Sequence, residues 1–228
     1  VDSISANSAH ETAGYLCQKM QIINNGVDTS KFSPDGIKYN KYRQKYFKED
    51  ELVIGLIARY HAVKGHDIFI KAVNLISKKV SNVKFLLNGS NIDISNSKLM
   101  NMINKEDVHN FIHISDSKLT ITDILFSCDI LVSSSKFESF PNIILEAMAS
   151  EIPCVVTDVG DCSRIVSNAG LIVNANDPIA LANAIIRLIK MPLKERIELG
   201  KQARNRINNN FTLEQMVEKY NNLYSSCN

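Results

Sequence analysis

Short, nearly continuous apolar runs alternate with longer stretches of helical spacing through the middle of the chain. Leu52-Val53-Ile54-Gly55-Leu56-Ile57-Ala58, Val83-Lys84-Phe85-Leu86-Leu87-Asn88 and Phe111-Ile112-His113-Ile114 predict three strands. Ile130 to Ser134, Pro153 to Thr157 and Gly170 to Val173 predict three more. Between them, His66 to Lys79 carries an amphipathic helical pattern. Further helices are expected over Ser97 to Asn104, near Ile121 to Ser127, and after Pro141, where Ile144, Leu145 and Met148 share a face. Apolar strands alternating with helices predict an α/β fold with a doubly wound, six-stranded parallel Rossmann-like sheet, covered on both faces. Such sheets bind ligands beyond the carboxyl ends of their strands, which directs attention to those loops.

Three helical patterns follow the sheet. Pro178 to Lys190 places Ile179, Ala182, Ile185, Ile186 and Ile189 on one face, and Leu193 to Asn208 is far more charged. Thr212 with Gln215 three residues on is a capping-box pattern, opening a last helix to about Tyr224. The first fifty residues break the rhythm. Ser3 to Leu16 reads as a strand end and helix belonging to another unit, and Lys38 to Glu49 as a charged helix. The expected organisation is therefore a remnant of a preceding domain over 1–20, a linker over 21–50, a ligand-binding domain over 51–210 and a closing helix over 211–228.

Composition narrows the function classes. The chain has 228 residues, 45% hydrophobic and 22% charged, with a formal net charge of +2. That balance suits a soluble domain and argues against nucleic acid as a partner. The five cysteines (Cys17, Cys128, Cys154, Cys162, Cys227) have no C-x-x-C spacing and read as reduced thiols of a cytoplasmic protein. No apolar run has the length of a membrane span, which leaves room for peripheral contact at the inner face of the plasma membrane. His61, His66, His109 and His113 lack metal-ligand spacing, so no metal site is assigned.

The candidate chemistry centres on Glu138 and Glu146, in Lys136-Phe137-Glu138-Ser139-Phe140-Pro141-Asn142-Ile143-Ile144-Leu145-Glu146. The first glutamate falls in a strand-to-helix loop and the second on the helix, about 7 Å along its axis. The free amides of a helix start attract phosphate, and Ser139 and Asn142 add side-chain donors. Glu146 is placed to accept from both hydroxyls of a ribose. Glu138 is placed to accept from a sugar hydroxyl or to balance charge developing at an anomeric carbon. Arg59 ends the first strand and Lys64 precedes a helix, supplying a planar fork and a point charge for a diphosphate. Gly89 and Ser90 end the second strand, where glycine permits close backbone approach. Thr157 to Asp161 ends the fifth strand and reads equally well as an ordinary turn.

With these residues placed, the sequence resembles the retaining glycosyltransferases of family four, which have the two-domain GT-B architecture. The parts occur in that family's order: Asn24-Asn25-Gly26-Val27-Asp28 with Phe32 and Pro34, Arg59 to Gly65, Gly89, Glu138 to Met148, Pro153 to Gly160, and Phe211 to Tyr224. The resemblance implies the C-terminal, donor-binding half of such an enzyme, taking a UDP- or GDP-linked hexose as substrate, with no cofactor and no metal. It implies that Arg59 and Lys64 grip the diphosphate, and that Glu146 holds the ribose. It places Glu138 at the donor sugar, the Ser139-Phe140-Pro141-Asn142 backbone with Ile143 at sugar and phosphates, and Gly89-Ser90 in the same site. Catalytic roles are carried over to Glu138, Arg59 and Lys64. The implied acceptor is a glycan or lipid-linked sugar in capsule, lipopolysaccharide or other surface-polysaccharide synthesis, bound with the help of an N-terminal acceptor domain. Two departures are visible: Ser139 stands where glycine is commoner, and Asp161-Cys162-Ser163-Arg164 lacks a glutamate that many members carry. The alternative reading is a non-catalytic nucleotide- or glycan-binding module working with a separate acceptor-domain chain. A nicotinamide-dependent oxidoreductase is disfavoured because Ala58-Arg59-Tyr60-His61 follows the first strand in place of G-x-G-x-x-G.

Overall fold

The computed structural model describes residues 2–14, 20–35, 40–115 and 119–226. Six parallel strands form one sheet in the order β3-β2-β1-β4-β5-β6, with β1 Leu52–Ile57, β2 Val83–Asn88, β3 Ile112–Ile114, β4 Ile130–Ser133, β5 Cys154–Thr157 and β6 Leu171–Val173. The helices are α1 Ile4–Thr12, α2 Lys41–Tyr46, α3 His66–Ser77, α4 Ser97–Lys105, α5 Ile121–Leu125, α6 Asn142–Ala149, α7 Cys162–Val166, α8 Pro178–Lys190, α9 Leu193–Asn210 and α10 Leu213–Ser226.

Alternation along β1 shows why the sheet is wound on both faces. Val53 and Ile57 point into a core with Leu131, Ile144, Leu145 and Met148, under α6 and α9. Ile54 and Leu56 point the other way, into a core with Phe69, Phe85, Leu181 and Ile185, under α3 and α8. Successive strand residues face opposite sides, so strands buried on both faces must be apolar throughout. The chain order reverses between β1 and β4, and the crevice of a doubly wound sheet opens beyond the carboxyl ends of such a pair.

The helices after the sheet follow local signals. Asp177 caps α8 by accepting from the amides of Ile179 and Ala180, with Pro178 at the first position. The capping box forms at α10: the Thr212 amide donates to Gln215 Oε1 (3.1 Å), and the Gln215 amide to Thr212 Oγ1 (3.3 Å). The helix expected over Lys38 to Glu49 is confined to α2, where Asn40 accepts from the amides of Tyr42 and Arg43. Phe47 ends it by turning extended and burying its ring in the core, and residues 36–39 lie outside the described ones. Pro141 stands one position earlier than expected: its extended backbone caps α6, and helix begins at Asn142.

The segment before β1 belongs to the same packed body. Val27, Phe32, Tyr42 and Phe47 share the core under α6. The Val27 amide donates to the Phe211 carbonyl (2.9 Å), and the Leu213 amide donates to the Val27 carbonyl (3.0 Å). Arg204 of α9 reaches the carbonyls of Phe32 and Thr29, at 3.0 and 3.2 Å. Of the early helical pattern, Ile4–Thr12 is helix, and residues 15–19 lie outside the described ones. Among the described residues, no helix is long and apolar enough to cross a membrane.

Candidate active site

Beyond the ends of β1 and β4 lies a cavity of about 330 Å³. Arg59, Lys64, Glu138, Pro141, Asn142 and Ile143 line it together with the backbone ends of the two strands. Its geometry is fixed by close backbone packing. Gly65 follows Lys64 with φ +66°, and a Cβ there would overlap the Ser134 carbonyl, so the loop lies flat on the end of β4. Ser134 Oγ returns hydrogen bonds to the carbonyls of Lys64 and Gly65, at 3.1 and 3.0 Å. The buried small polar residues that end the β4 segment therefore bind the two loops to one another.

Within that frame, Lys64 Nζ lies 2.5 Å from Glu138 Oε1, and Ser135 Oγ donates to the same oxygen at 2.7 Å. Both side chains are largely withdrawn from solvent, at 21% and 11% exposure, so the pair interacts more strongly than a surface ion pair. Arg59 is exposed at the rim. α6 begins at the cavity wall with no side chain capping it, so its first amides face a space already carrying two cations. The combination favours an anion with hydroxyl groups nearby.

The other residues singled out in the sequence occupy different surroundings. Glu146 lies one helical turn beyond Asn142 and Ile143 on the same face of α6, outside the cavity lining. Burial pushes its carboxyl above the usual range, and Lys31 opposes that shift. Lys31 gave no signal in the sequence, since its place beside Glu146 follows from the 21–35 segment folding over α6. Gly89 and Ser90 line a separate cavity of about 480 Å³ with Asn88, Asn91 and Asp93. A Cβ on Gly89 would overlap the Ala58 carbonyl, so this glycine is required by packing between strand ends.

Ser139 turns to the start of the chain: its Oγ lies 2.6 Å from Ser3 Oγ and donates to Asp2 Oδ1 at 3.1 Å. Phe140 is buried against Phe211, with ring centroids 5.8 Å apart, and the Arg164 guanidinium stands 5.6 Å over its ring. Asp161, 3% exposed, pairs with Arg164, accepts from the Ile4 amide (3.3 Å) and gives its own amide to the Ser139 carbonyl (3.0 Å). The segment from Asp161 to Arg164 thus holds the back of the Glu138 loop. Gly160, with φ +55°, lets the backbone approach the Glu138 carbonyl more closely than any side chain would permit. Among the described residues there is no group of three or more His, Cys, Asp or Glu side chains able to hold a metal. Cys128, Cys154 and Cys162 are free and buried; burial pushes all three thiols up, Cys162 to about 12.

The sequence model of the glycosyl transferases group 1 matches residues 51–191, the stretch that contains the whole sheet and both walls of the cavity. The chain belongs to the glycosyl transferases group 1 family. It is 30% identical over 210 residues to the capsular polysaccharide biosynthesis glycosyltransferase CapM of Staphylococcus aureus, covering 89% of this chain and 53% of that protein. It is 26% identical over 212 residues to the UDP-Gal:alpha-D-GlcNAc-diphosphoundecaprenol alpha-1,3-galactosyltransferase of Escherichia coli, covering 90% and 54%. The chain thus spans about half the length of these curated relatives. Anabaena Alr3699/HepE, solved in complex with UDP-glucose, superposes with a TM-score of 0.87 at 22% identity, over 99% of this chain and 63% of that one. The C-terminal domain of a glycosyl transferase group 1 protein (LpcC) from Francisella tularensis superposes at 0.71 and 22% identity, over 82% of this chain and all of that domain. The family and the doubly wound fold agree with the resemblance carried by Glu138 to Met148.

Proposed function

We propose that this group 1 glycosyltransferase domain binds the diphosphate and sugar of a UDP- or GDP-linked hexose. It would serve as the donor-binding half of an enzyme that transfers the hexose, with retention of configuration, to a glycan or lipid-linked acceptor in surface-polysaccharide synthesis. The observation that carries this reading is the convergence of Arg59, Lys64, Glu138 and the start of α6 on one cavity at the point where strand order reverses. Arg59 and the α6 amides hold the diphosphate, and Lys64 bridges it to Glu138. The carboxylate of Glu138, fixed by Lys64 and Ser135, accepts from a donor-sugar hydroxyl and stabilises positive charge at the anomeric carbon as the bond to phosphate breaks. Lys64 and Arg59 stabilise the leaving diphosphate, so charge separation is met on both sides with no metal or cofactor required. Glu146, one turn further along α6 and half-buried, takes the ribose.

The names of the relatives support a place in capsule and related surface-glycan synthesis; the enzyme would work in the cytoplasm, with peripheral contact at the inner face of the plasma membrane. An N-terminal acceptor domain would complete the cleft. The experiment is a calorimetric titration of the folded chain with UDP, GDP and their hexose conjugates. Saturable binding of one nucleotide series is expected. Failure of all of them to bind would remove the reading.

A further inference from the structure

The segment that carries Asn25 is clamped on both sides. Before it, Asn24 Nδ2 donates to the Asp2 carbonyl (2.9 Å), and Asn24 Oδ1 accepts from Arg164 at 3.4 Å. After it, a Cβ on Gly26 would overlap the Thr212 carbonyl, so the chain lies flat on the start of α10. The Gly26 amide donates to Met216 Sδ (3.3 Å), and Val27 is bonded through its carbonyl and amide to Leu213 and Phe211. The backbone at Asn25 is thereby fixed, and its side chain crosses to the first residue of α6. Asn25 Nδ2 donates to Asn142 Oδ1 at 3.0 Å, a bond between residues 117 positions apart.

Asn142 lines the donor cavity and opens a helix that no side chain caps. The amides of Asn142 and Ile143 accordingly have no partner among the described residues. Asparagine close to a helix start readily folds its side-chain oxygen onto such amides. That would close the seat a phosphate needs. With Oδ1 drawn to Asn25, the oxygen is engaged elsewhere and the amides stay open. The same bond decides which end of the carboxamide is left for a ligand. It is Nδ2, a donor, which has no partner among the described residues.

We propose that Asn25 is a positioning residue for the nucleotide-sugar donor. It holds the Asn142 side chain so that Nδ2 and the first two amides of α6 all present N–H groups to the diphosphate. This deepens the donor reading and rests on it. Asn25 touches no ligand and acts through Asn142. The three neutral donors supplement Arg59 and Lys64 without adding charge to a cavity that already holds two cations.

The test titrates the chain with inorganic pyrophosphate, UDP and GDP by calorimetry, and follows the side-chain amide signals of Asn142 by NMR. In the wild type those signals are expected to move on binding. Asn25→Ala, at a half-buried position, should weaken pyrophosphate and the accepted nucleotide about fivefold, the loss of one neutral hydrogen bond. The Asn142 signals should then move less at saturation, which a merely structural role for Asn25 would not produce. In the Asn142→Ala background the removal of Asn25 should cost nothing more, so the double variant binds like Asn142→Ala alone. Should Asn25→Ala fail to fold, Asn25→Ser, too short to reach Asn142, carries the same comparison. The proposal is overturned if Asn25→Ala binds as the wild type does, if the two losses add in the double variant, or if the Asn142 signals move as far as before. Pyrophosphate binding without either nucleotide would end the donor reading while the pyrophosphate series still decides the role of Asn25. A chain that binds none of the three ends both.

Discussion

Glu138→Gln separates two jobs that the Lys64–Glu138 pair performs at once. In the folded chain the lysine is bonded to the carboxylate at 2.5 Å, and Ser135 supplies a second donor to the same oxygen. Glutamine keeps an acceptor for Ser135 but removes the charge, leaving a cation only 21% exposed without its counter-ion. A fully buried pair broken in this way costs about 3–5 kcal/mol and an exposed one about 0.2–1 kcal/mol, so the residual exposure here places the cost at roughly 2 kcal/mol. For a chain of this size that lowers Tm by about 4–8 °C. The double-mutant cycle with Lys64→Met should return a coupling of about 1–2 kcal/mol. Binding should move the other way. With the carboxylate gone, Lys64 is free for the diphosphate and like-charge repulsion is removed, so UDP affinity holds or rises by up to about tenfold, a change of about 1.4 kcal/mol. The extra affinity contributed by the sugar of the matching nucleotide sugar should be lost. Thermal melts and parallel calorimetry on the four proteins of the cycle read both effects. Additive melts, or UDP affinity that falls in step with nucleotide-sugar affinity, would refute the assignment.

Arg59→Ala, at an exposed rim position, should leave Tm within about 1 °C of wild type and weaken UDP about tenfold, the loss of a charge-assisted contact; unchanged UDP affinity would place the diphosphate elsewhere. Gly160→Ala should cost about 2–4 kcal/mol by chemical denaturation, because φ is +55° and the new methyl meets the Glu138 carbonyl; a neutral result would contradict the packing. Glu146→Gln tests a half-buried acid whose carboxyl is pushed above its usual 4.5. As pH rises past 4.5 the unfolded chain releases this proton before the folded chain does, so stability falls until the folded group also ionises. The variant should therefore melt higher than wild type at pH 7 and equal to it at pH 4, while binding UDP less tightly; a stability gap that does not vary with pH would refute the burial argument. His66 carries the opposite dependence, since its pKa is pushed down from 6.5 to about 4. Its contribution is complete above pH 6.5, and roughly 3 kcal/mol of it is lost between there and pH 4, a loss that His66→Gln should remove.

The sheet was legible because its central strands β1, β4 and β5 are buried on both faces and read as nearly uninterrupted apolar runs, while Thr212 with Gln215 marks a helix start by chemistry confined to four residues. The placing of Arg59, Lys64, Glu138 and Asn142 in one cavity followed from the rule that loops after such strands converge. What escaped the sequence depends on contacts across more than a hundred positions. Ser139 could be seen to depart from the family's glycine, but not that its hydroxyl meets Asp2 and Ser3, 137 and 136 residues away. The Asp161–Arg164 pair looked like a missing glutamate, and it proves to be the brace between α7, Phe140 and the start of the chain. Gly89 could be read equally as a ligand approach point or a turn, but not as the place where a missing side chain admits the Ala58 carbonyl. The short α7 lacks a side-chain cap, and five residues carry too little period to read.

The most direct test is a crystal structure of the chain soaked with whichever UDP- or GDP-hexose binds in calorimetry, read for the position of its two phosphorus atoms. The account predicts both phosphates between Arg59, Lys64 and the first amides of α6, with the hexose against Glu138 and the ribose against Glu146. Phosphates bound anywhere else on the protein, with that cavity holding only solvent, would contradict it.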